Sequence, residues 1–129
     1  MLKAQHLVVA RSGIGIYRNY GDKPEGSDRY TMPQMYEQTL FMDSTLRWDF
    51  SRYTPHVVCV NLGTNDTSLG TYDTDKMKNA YTEFVQRLRG YYPQAHIVML
   101  TGIMMQGKDL EDVKMCLDEV VAVSYTHLR

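Results

Sequence analysis

Three short apolar runs rich in Val, Ile and Leu constrain the fold of this 129-residue chain most. They span His6 to Ala10, Val57 to Leu62 and His96 to Thr101, and none alternates regularly between polar and apolar residues. Such runs are typical of strands that are covered on both faces of a parallel sheet. We therefore predict an α/β fold in which helices sandwich a parallel sheet, with the first run as its first strand.

Helical periodicity marks three further segments. The strongest runs from about Thr74 to Arg89, with Asp73 or Thr74 as its cap and Gly90 followed by Pro93 as its end. A second is predicted from Leu110 to Val121, and a shorter one from near Pro33 to about Phe41. Strands that alternate with helices favour right-handed crossovers, which bring the loops after the strands to one edge of the sheet.

Composition narrows the classes of partner. The chain is long enough for one domain, and its net charge of -1 with 22% charged residues lacks the basic excess that nucleic acid or an anionic membrane would require. The start, MLKAQHLVVARSG, resembles neither a signal peptide nor a membrane span. We expect no nucleic acid, membrane, metal or cofactor as partner, and the composition leaves the oligomeric state open.

The two cysteines have no spacing that suits a metal site. Cys59 lies inside an apolar run and Cys116 at a helical position, so we expect both to be buried small apolar residues and not a disulfide.

Two loops at the predicted sheet edge carry polar chemistry. In ARSGIGIYRNYG, Gly13 and Gly15 allow a tight turn that exposes a backbone N–H, although the spacing does not match a dinucleotide-binding fingerprint and a plain turn remains the alternative. In LGTND, Gly63 lets the chain turn, Asn65 can point amide donors into a cleft, and Asp66 can secure the turn. A simple Asx turn is the alternative for Asn65 and Asp66.

Taken together, the loops offer two donors to one point. Such a pair suits an oxyanion hole, in which one donor contributes roughly 3 to 4 kcal/mol to an acyl-transfer transition state.

The order of these motifs resembles a known family. From about Val8 to Val121, the loop SGIGIYRNYG, the stretch TMPQMYEQTLF, RWDF and PHVVCVNLGTND follow one another as in SGNH-type, GDSL-like serine hydrolases, most closely the carbohydrate esterases of family 2, the acetyl-xylan esterase group. The resemblance implies a three-layer α/β/α, flavodoxin-like fold and an enzyme that deacetylates hemicellulose or related acetylated sugars, without a cofactor. It also implies a secreted or extracellular parent protein.

The resemblance assigns roles residue by residue. Gly13 matches the second block of the family and Asn65 the third, so these two are the implied oxyanion-hole residues, with Gly63 and Asp66 supporting the site. Tyr17, Arg18 and Asn19, on the first loop, are candidate contacts for a sugar. Their alternative role is packing within the loop.

The nucleophile and the base that the family uses are absent from the expected positions. The family places a Gly-Asp-Ser element upstream of the second block and an Asp-x-x-His near its end, and no such elements stand there in this sequence. Asp43-Ser44 lies after the second block without a preceding strand, so we interpret Ser44 as a decoy. His127 has Ser124, and not an aspartate, three positions before it. The other histidines, His6, His56 and His96, stand at the starts of the predicted strands, at the end of the sheet opposite the site.

We therefore predict that the chain is a single partial domain, residues 1–129, truncated at both ends, in which 122–129 form a non-native tail. VSYTHLR breaks the helical pattern and resembles translated adapter sequence. A non-catalytic carbohydrate- or ligand-binding α/β module is the alternative to an esterase fragment. A flavodoxin-like nucleotide domain is a third option, weakened by the lack of a phosphate-binding glycine-rich helix start.

Overall fold

Two parallel strands form the sheet. In the computed structural model, which describes residues 3–126, β1 (Val57–Asn61) pairs with β2 (His96–Leu100) in a register that sets Val57 opposite His96 and Asn61 opposite Leu100. His96 N also donates to the His56 carbonyl oxygen at 2.8 Å, immediately before β1. The two predicted strands and their parallel pairing are confirmed.

The first apolar run is not a strand. Residues 6–10 make no ladder with the sheet, and Leu7 and Val8 are 59% and 72% exposed. A strand needs a neighbour to pair its backbone, and a cavity separates this run from β1. The prediction of a strand from His6 to Ala10 is therefore wrong for the chain in this structure, although most of the run lines the cavity beside β1.

Three helices accompany the sheet, namely α1 (Met32–Tyr36), α2 (Thr74–Tyr91) and α3 (Gly107–Thr126). Short 3-10 turns lie at Phe50–Arg52 and Ser68–Gly70. Helix α2 begins as predicted, since the Asp73 carboxylate accepts from Lys76 N at 3.0 Å. It continues past Gly90, because helical hydrogen bonding persists to Tyr92 N, which donates to the Leu88 carbonyl oxygen at 2.8 Å.

The other two helices differ in length from their predicted bounds. Helix α1 stops at Tyr36 because the chain then folds back on itself, with Thr39 N donating to the Leu46 carbonyl oxygen at 2.8 Å. Helix α3 extends beyond Val121 to Thr126, so residues 122–126 of the predicted tail are helical. His127 lies outside the described residues.

The core lies on one face of the sheet. Helices α2 and α3 pack on each other, and their buried residues cluster with Val60 and Leu62 from the region of β1. The buried members of these helices are Met77, Tyr81, Phe84, Val85, Leu88, Val113, Cys116, Leu117 and Val120. The helical periodicity predicted for α2 is confirmed, because its apolar residues form one face of the helix and that face packs in the core.

The opposite face of the sheet is exposed along both strands. Val57, Cys59, Val98 and Leu100 all lie on it, so the described residues supply a helical layer to one side of the sheet. Cys116 is buried as predicted, whereas the prediction that Cys59 is buried is wrong, because it projects from this uncovered face. Neither cysteine forms a disulfide. Among residues 3–126, no helix combines the length and apolar character that a membrane-spanning segment requires.

Gly63, just after β1, occupies a position where any side chain should be unfavourable. Its φ is +112°, and a Cβ there would approach Val113 Cγ2 to 3.2 Å. We expect Gly63→Ala to lower the free energy of unfolding by about 2 kcal/mol or more, because both the backbone and α3 would be strained. Urea denaturation measures this.

Gly90→Ala is the matched control. Gly90 lies within α2 and a Cβ there meets no atom within 4 Å, so alanine should raise stability by up to about 1 kcal/mol. Equal losses in both variants would contradict the assignment of Gly63 to a strained, tightly packed turn.

Candidate functional site

The turn after β1 presents its acidic residue to a different loop. Asp66 has no solvent exposure, and its carboxylate accepts from three consecutive backbone N–H groups: Ile16 at 3.0 Å, Tyr17 at 2.8 Å and Arg18 at 3.0 Å. Successive N–H groups that converge in this way form a binding site for an anion. Asp66 thus joins the first loop to the second, a longer-range role than securing its own turn.

Burial and hydrogen bonding act on the Asp66 carboxyl in opposite directions. Burial raises its pKa, since a charge is unfavourable where water is excluded, while the N–H groups of Tyr17, Ile16 and Arg18 work to lower it. The net direction is upward. The stability of the buried carboxylate therefore depends on these three N–H donors. The donors in turn have no other acceptor in the loop.

Asn65 adds a second link between the loops. Its side-chain Nδ2 donates to the Ile14 carbonyl oxygen at 2.7 Å, and the residue is half-buried. An amide nitrogen carries two hydrogens, so one donor of Asn65 remains after this bond. One hydrogen of the Asn65 side-chain amide therefore fixes the side chain, and the other is available to donate to a ligand.

Gly13 lies next to the carbonyl that Asn65 binds. Its φ is +76°, which favours glycine, and its own carbonyl oxygen accepts from Tyr20 N at 2.8 Å. Within the described residues, no group accepts from the Gly13 N–H. The predicted pair of donors, Gly13 N–H and the Asn65 amide, is therefore brought to neighbouring positions on two linked loops.

Gly15 is required by the closeness of this packing. A Cβ at Gly15 would lie 1.8 Å from the Arg18 carbonyl oxygen and 2.8 Å from Asp66 Oδ2. Gly15 N donates to Asn19 Oδ1 at 3.0 Å, and Asn19 Nδ2 donates to the Tyr30 carbonyl oxygen at 2.8 Å. Sequence reasoning missed the supporting role of Asn19, for which an Asn four residues after a turn glycine was the available signal.

Arg18 and Tyr17 bind the protein's own backbone. Arg18 is 1% exposed and its guanidinium donates to the carbonyl oxygens of Ser68 and, at 2.5 Å, of Thr71. The Tyr17 hydroxyl donates to the Pro24 carbonyl oxygen at 3.3 Å and accepts from Asp73 N at 2.9 Å, and burial raises its pKa. Sugar binding by these two side chains stays a prediction that their contacts do not support.

The remaining candidates lie apart from these loops. Ser44 is in an exposed turn, where the neighbouring Asp43 carboxylate accepts from Thr45 N at 2.9 Å. His56 and His96 lie at the amino ends of the strands, and His6 is exposed. Within residues 3–126, no group of three or more His, Cys, Asp or Glu side chains is arranged to hold a metal ion.

Comparison with known proteins gives a consistent result. Residues 16–124 match the GDSL-like Lipase/Acylhydrolase family. Cellulase/esterase CelE of Acetivibrio thermocellus is 40% identical over 122 residues, which make up 93% of this chain and 14% of that protein. An acetylxylan esterase / glucomannan deacetylase of Cellvibrio japonicus is 36% identical over 82% of this chain and 29% of its own length.

Solved structures agree in fold. A family two carbohydrate esterase from Clostridium thermocellum, in complex with cellohexaose, superposes with a TM-score of 0.79 at 38% identity, over 89% of this chain and 34% of that one. A family two carbohydrate esterase from Cellvibrio japonicus gives 0.76 at 31% identity, over 84% and 32% of the two chains. The chain thus spans about a third of the structures that it matches.

Removing the charge of Asp66 tests its link between the loops. We expect Asp66→Asn to lower the free energy of unfolding by about 3 kcal/mol, because an amide accepts more weakly and adds a buried NH₂ among three N–H donors. Asp28→Asn is the control, since this carboxylate is 87% exposed and, among residues 3–126, pairs only with Lys23 at 3.4 Å. Its change should stay within about 0.5 kcal/mol, and equal effects in urea denaturation would contradict the role of Asp66.

Arg18→Lys tests whether the buried guanidinium is structural. Lysine keeps the charge but cannot donate as a fork to two carbonyl oxygens, so we expect a loss of about 1 to 3 kcal/mol in thermal or urea unfolding. Arg52→Lys, at an exposed position over Trp48, should change stability by less than about 0.5 kcal/mol. An Arg18→Lys variant as stable as the Arg52 control would show that the backbone contacts contribute little.

Proposed function

Because this chain belongs to the GDSL-like lipase/acylhydrolase family, with family two carbohydrate esterases among its relatives, we propose that it is part of a carbohydrate O-acetyl esterase. The proposed reaction is the deacetylation of hemicellulose or a related acetylated sugar by a serine-hydrolase route. The chain carries the oxyanion-hole loops of that enzyme. The nucleophilic serine and the Asp-x-x-His would come from other parts of the polypeptide.

One observation carries the proposal most directly: the N–H of Gly13 is unused among the described residues while Asn65 is anchored one residue away, on the Ile14 carbonyl. An oxyanion hole requires donors that are fixed before the reaction and are not consumed by internal hydrogen bonds. The bonds of Asp66 to the first loop meet the first requirement. The second requirement is that the donors are not used internally, and the N–H of Gly13 and the second amide hydrogen of Asn65 satisfy it among the described residues.

The chemistry would proceed in two steps. The serine hydroxyl attacks the acetyl carbonyl carbon as a histidine takes its proton, and negative charge develops on the carbonyl oxygen. Gly13 N–H and the Asn65 amide donate to that oxygen until the sugar alcohol leaves with the proton from the histidine. Water then attacks the acetyl-serine, through a second oxyanion in the same position, and releases acetate.

The carbohydrate partner has separate support. The Clostridium thermocellum relative was solved with cellohexaose, and two Cellvibrio japonicus relatives are each named acetylxylan esterase / glucomannan deacetylase. An acetylated polysaccharide is therefore the proposed substrate class, and a secreted or extracellular parent belongs to the same proposal. The alternative is a non-catalytic carbohydrate-binding module built on the same loops.

Acetate release separates these functions. With p-nitrophenyl acetate, we expect the 129-residue chain to give no turnover above background, because the oxyanion donors alone supply no nucleophile. Turnover that persists in Ser44→Ala but is lost in Asn65→Ala would reveal a nucleophile within the chain and contradict its proposed absence.

The parent enzyme tests the role of Asn65 itself. Asn65→Ala should lower kcat about 10²- to 10³-fold with a small change in KM, because the donor acts on charge that exists only in the transition state. Ser44→Ala in the same enzyme should leave both constants unchanged. If the parent binds acetylated xylo-oligosaccharides in calorimetry and releases no acetate, the binding module is the correct function.

A further inference from the structure

A second cavity, of about 240 Å³, lies beside the first loop and is separate from the cavity next to β1. Gly13 lines it together with Arg11, Ser12 and Ile14. The residue whose N–H we propose as an oxyanion donor is therefore part of the cavity wall. A substrate whose acetyl group reaches this N–H would place its neighbouring atoms in or next to the cavity.

Hydrogen bonds fix the cavity wall to the first loop. Asn19 lines the cavity and is 7% exposed, and its Oδ1 accepts from Gly15 N at 3.0 Å. Its Nδ2 donates at 2.8 Å to the carbonyl oxygen of Tyr30, which also lines the cavity. Tyr20 N donates to the Gly13 carbonyl oxygen at 2.8 Å. The wall and the proposed donor thus form one preorganised unit, which lowers the cost of ordering on binding a ligand.

Aromatic side chains form much of the lining. Tyr20, Tyr30 and Phe41 all contribute, and Tyr20 is 61% exposed. The rings of Tyr30 and Phe41 meet edge to face with their centroids 6.4 Å apart. A tyrosine offers an apolar ring face and a hydroxyl that can hydrogen-bond. This combination suits a sugar, which has apolar C–H faces and a rim of hydroxyl groups.

The charged side chains of this cavity are both cationic. Arg11 and Arg29 line it, and no carboxylate among the described residues does. Asp22 balances Arg29, because its Oδ1 accepts from Nη2 at 2.8 Å and its Oδ2 from Nε at 3.2 Å. The Arg11 guanidinium makes no hydrogen bond or ion pair with a described residue. One uncompensated positive charge therefore belongs to the cavity lining.

The Arg11 guanidinium is positioned by an aromatic ring. Its Cζ lies 3.7 Å from the centroid of the Phe41 ring, a distance at which the ring face attracts a cation. Contact through the face of the guanidinium leaves the N–H groups in its plane free to donate. Those N–H groups match the two oxygens of a carboxylate. The chain as a whole has a net charge of -1, so attraction of an anion to this cavity would come from Arg11 and not from the general field of the protein.

We propose that this cavity is a subsite for a uronic acid residue, whose carboxylate accepts from the Arg11 guanidinium while its ring packs against Tyr20 and Tyr30. The substrate class then narrows to acetylated polysaccharides that carry acidic sugars. Arg11 and Gly13 are two positions apart, so their Cα atoms lie at most about 7 Å apart. The acidic sugar would therefore be the acetylated sugar or its neighbour. This inference rests on the proposed function, which identifies the ligand as a carbohydrate.

Two matched oligosaccharides test the subsite by isothermal titration calorimetry with the 129-residue chain. One is a xylo-oligosaccharide with a single glucuronic acid branch, and the other is the same compound with its carboxyl group reduced to a primary alcohol. Neither carries an acetyl group, so no reaction accompanies binding. At an ionic strength of about 0.01 M, where screening is weak, we expect the acidic compound to bind roughly tenfold more tightly, because its carboxylate adds a charge-assisted hydrogen bond.

Arg11→Gln should reduce this preference to less than about twofold, since glutamine can hydrogen-bond but carries no charge. Arg52→Gln is the matched control. Arg52 is also exposed and lies over an aromatic ring, with its Cζ 6.0 Å from the Trp48 centroid, but it does not line the cavity. The control should keep the preference of the unchanged chain.

Three results would overturn the subsite. The first is equal binding of the two oligosaccharides by the unchanged chain. The second is an equal loss of preference in both variants, which would indicate general electrostatic attraction. The third is displacement of the acidic oligosaccharide by sodium acetate at concentrations near the Kd of the oligosaccharide, which would assign the cavity to simple anions. If circular dichroism shows the chain alone to be unfolded, the parent enzyme is titrated and the same ratios decide.

Acetate release by the parent enzyme separates this inference from the proposed function. Release of acetate without a preference for the acidic oligosaccharide overturns the uronic acid subsite and leaves the esterase standing. A preference for the acidic oligosaccharide that depends on Arg11, without release of acetate, supports the subsite and refutes the esterase.

Discussion

The hydrogen bonds of the Asp66 carboxylate to the backbone of residues 16–18 are the interaction on which the rest of the site depends. They join two loops that are separated by some fifty positions in the chain. The approach is so close that residue 15 must be glycine, and Arg18 can reach the carbonyl oxygens of the second loop only because the first is held against it. One buried carboxylate thus organises both loops.

This arrangement separates structural donors from available ones. The N–H groups of Ile16, Tyr17 and Arg18 are consumed by Asp66, whereas the Gly13 N–H and one hydrogen of the Asn65 amide are not used within the described residues. A catalytic donor must be rigid without being satisfied internally. The loops achieve this by directing internal hydrogen bonds to their neighbours, so that the proposed oxyanion donors are fixed but free.

In the sheet, by contrast, backbone N–H and carbonyl groups lack hydrogen-bond partners among the described residues. One edge of β1 and the run at residues 6–10 line a common cavity, and the face that carries Cys59 is uncovered. The core on the other face is well packed by α2 and α3. The described residues therefore combine a packed helical layer with a two-stranded sheet that has one open edge, in a chain that spans about a third of the structures it matches.

Local pattern was sufficient for β1, β2 and the start and buried face of α2, because period and capping are properties of neighbouring residues. The motifs also identified the family, whereas the role of Gly13 and Asn65 as an oxyanion pair stays a prediction. Tertiary structure alone decided that residues 6–10 stay unpaired and that Cys59 is exposed, since both depend on what lies beside the segment. It likewise turned Arg18 inward and gave Asp66 its partners, because a side chain's contacts across fifty positions leave no local signal in the sequence.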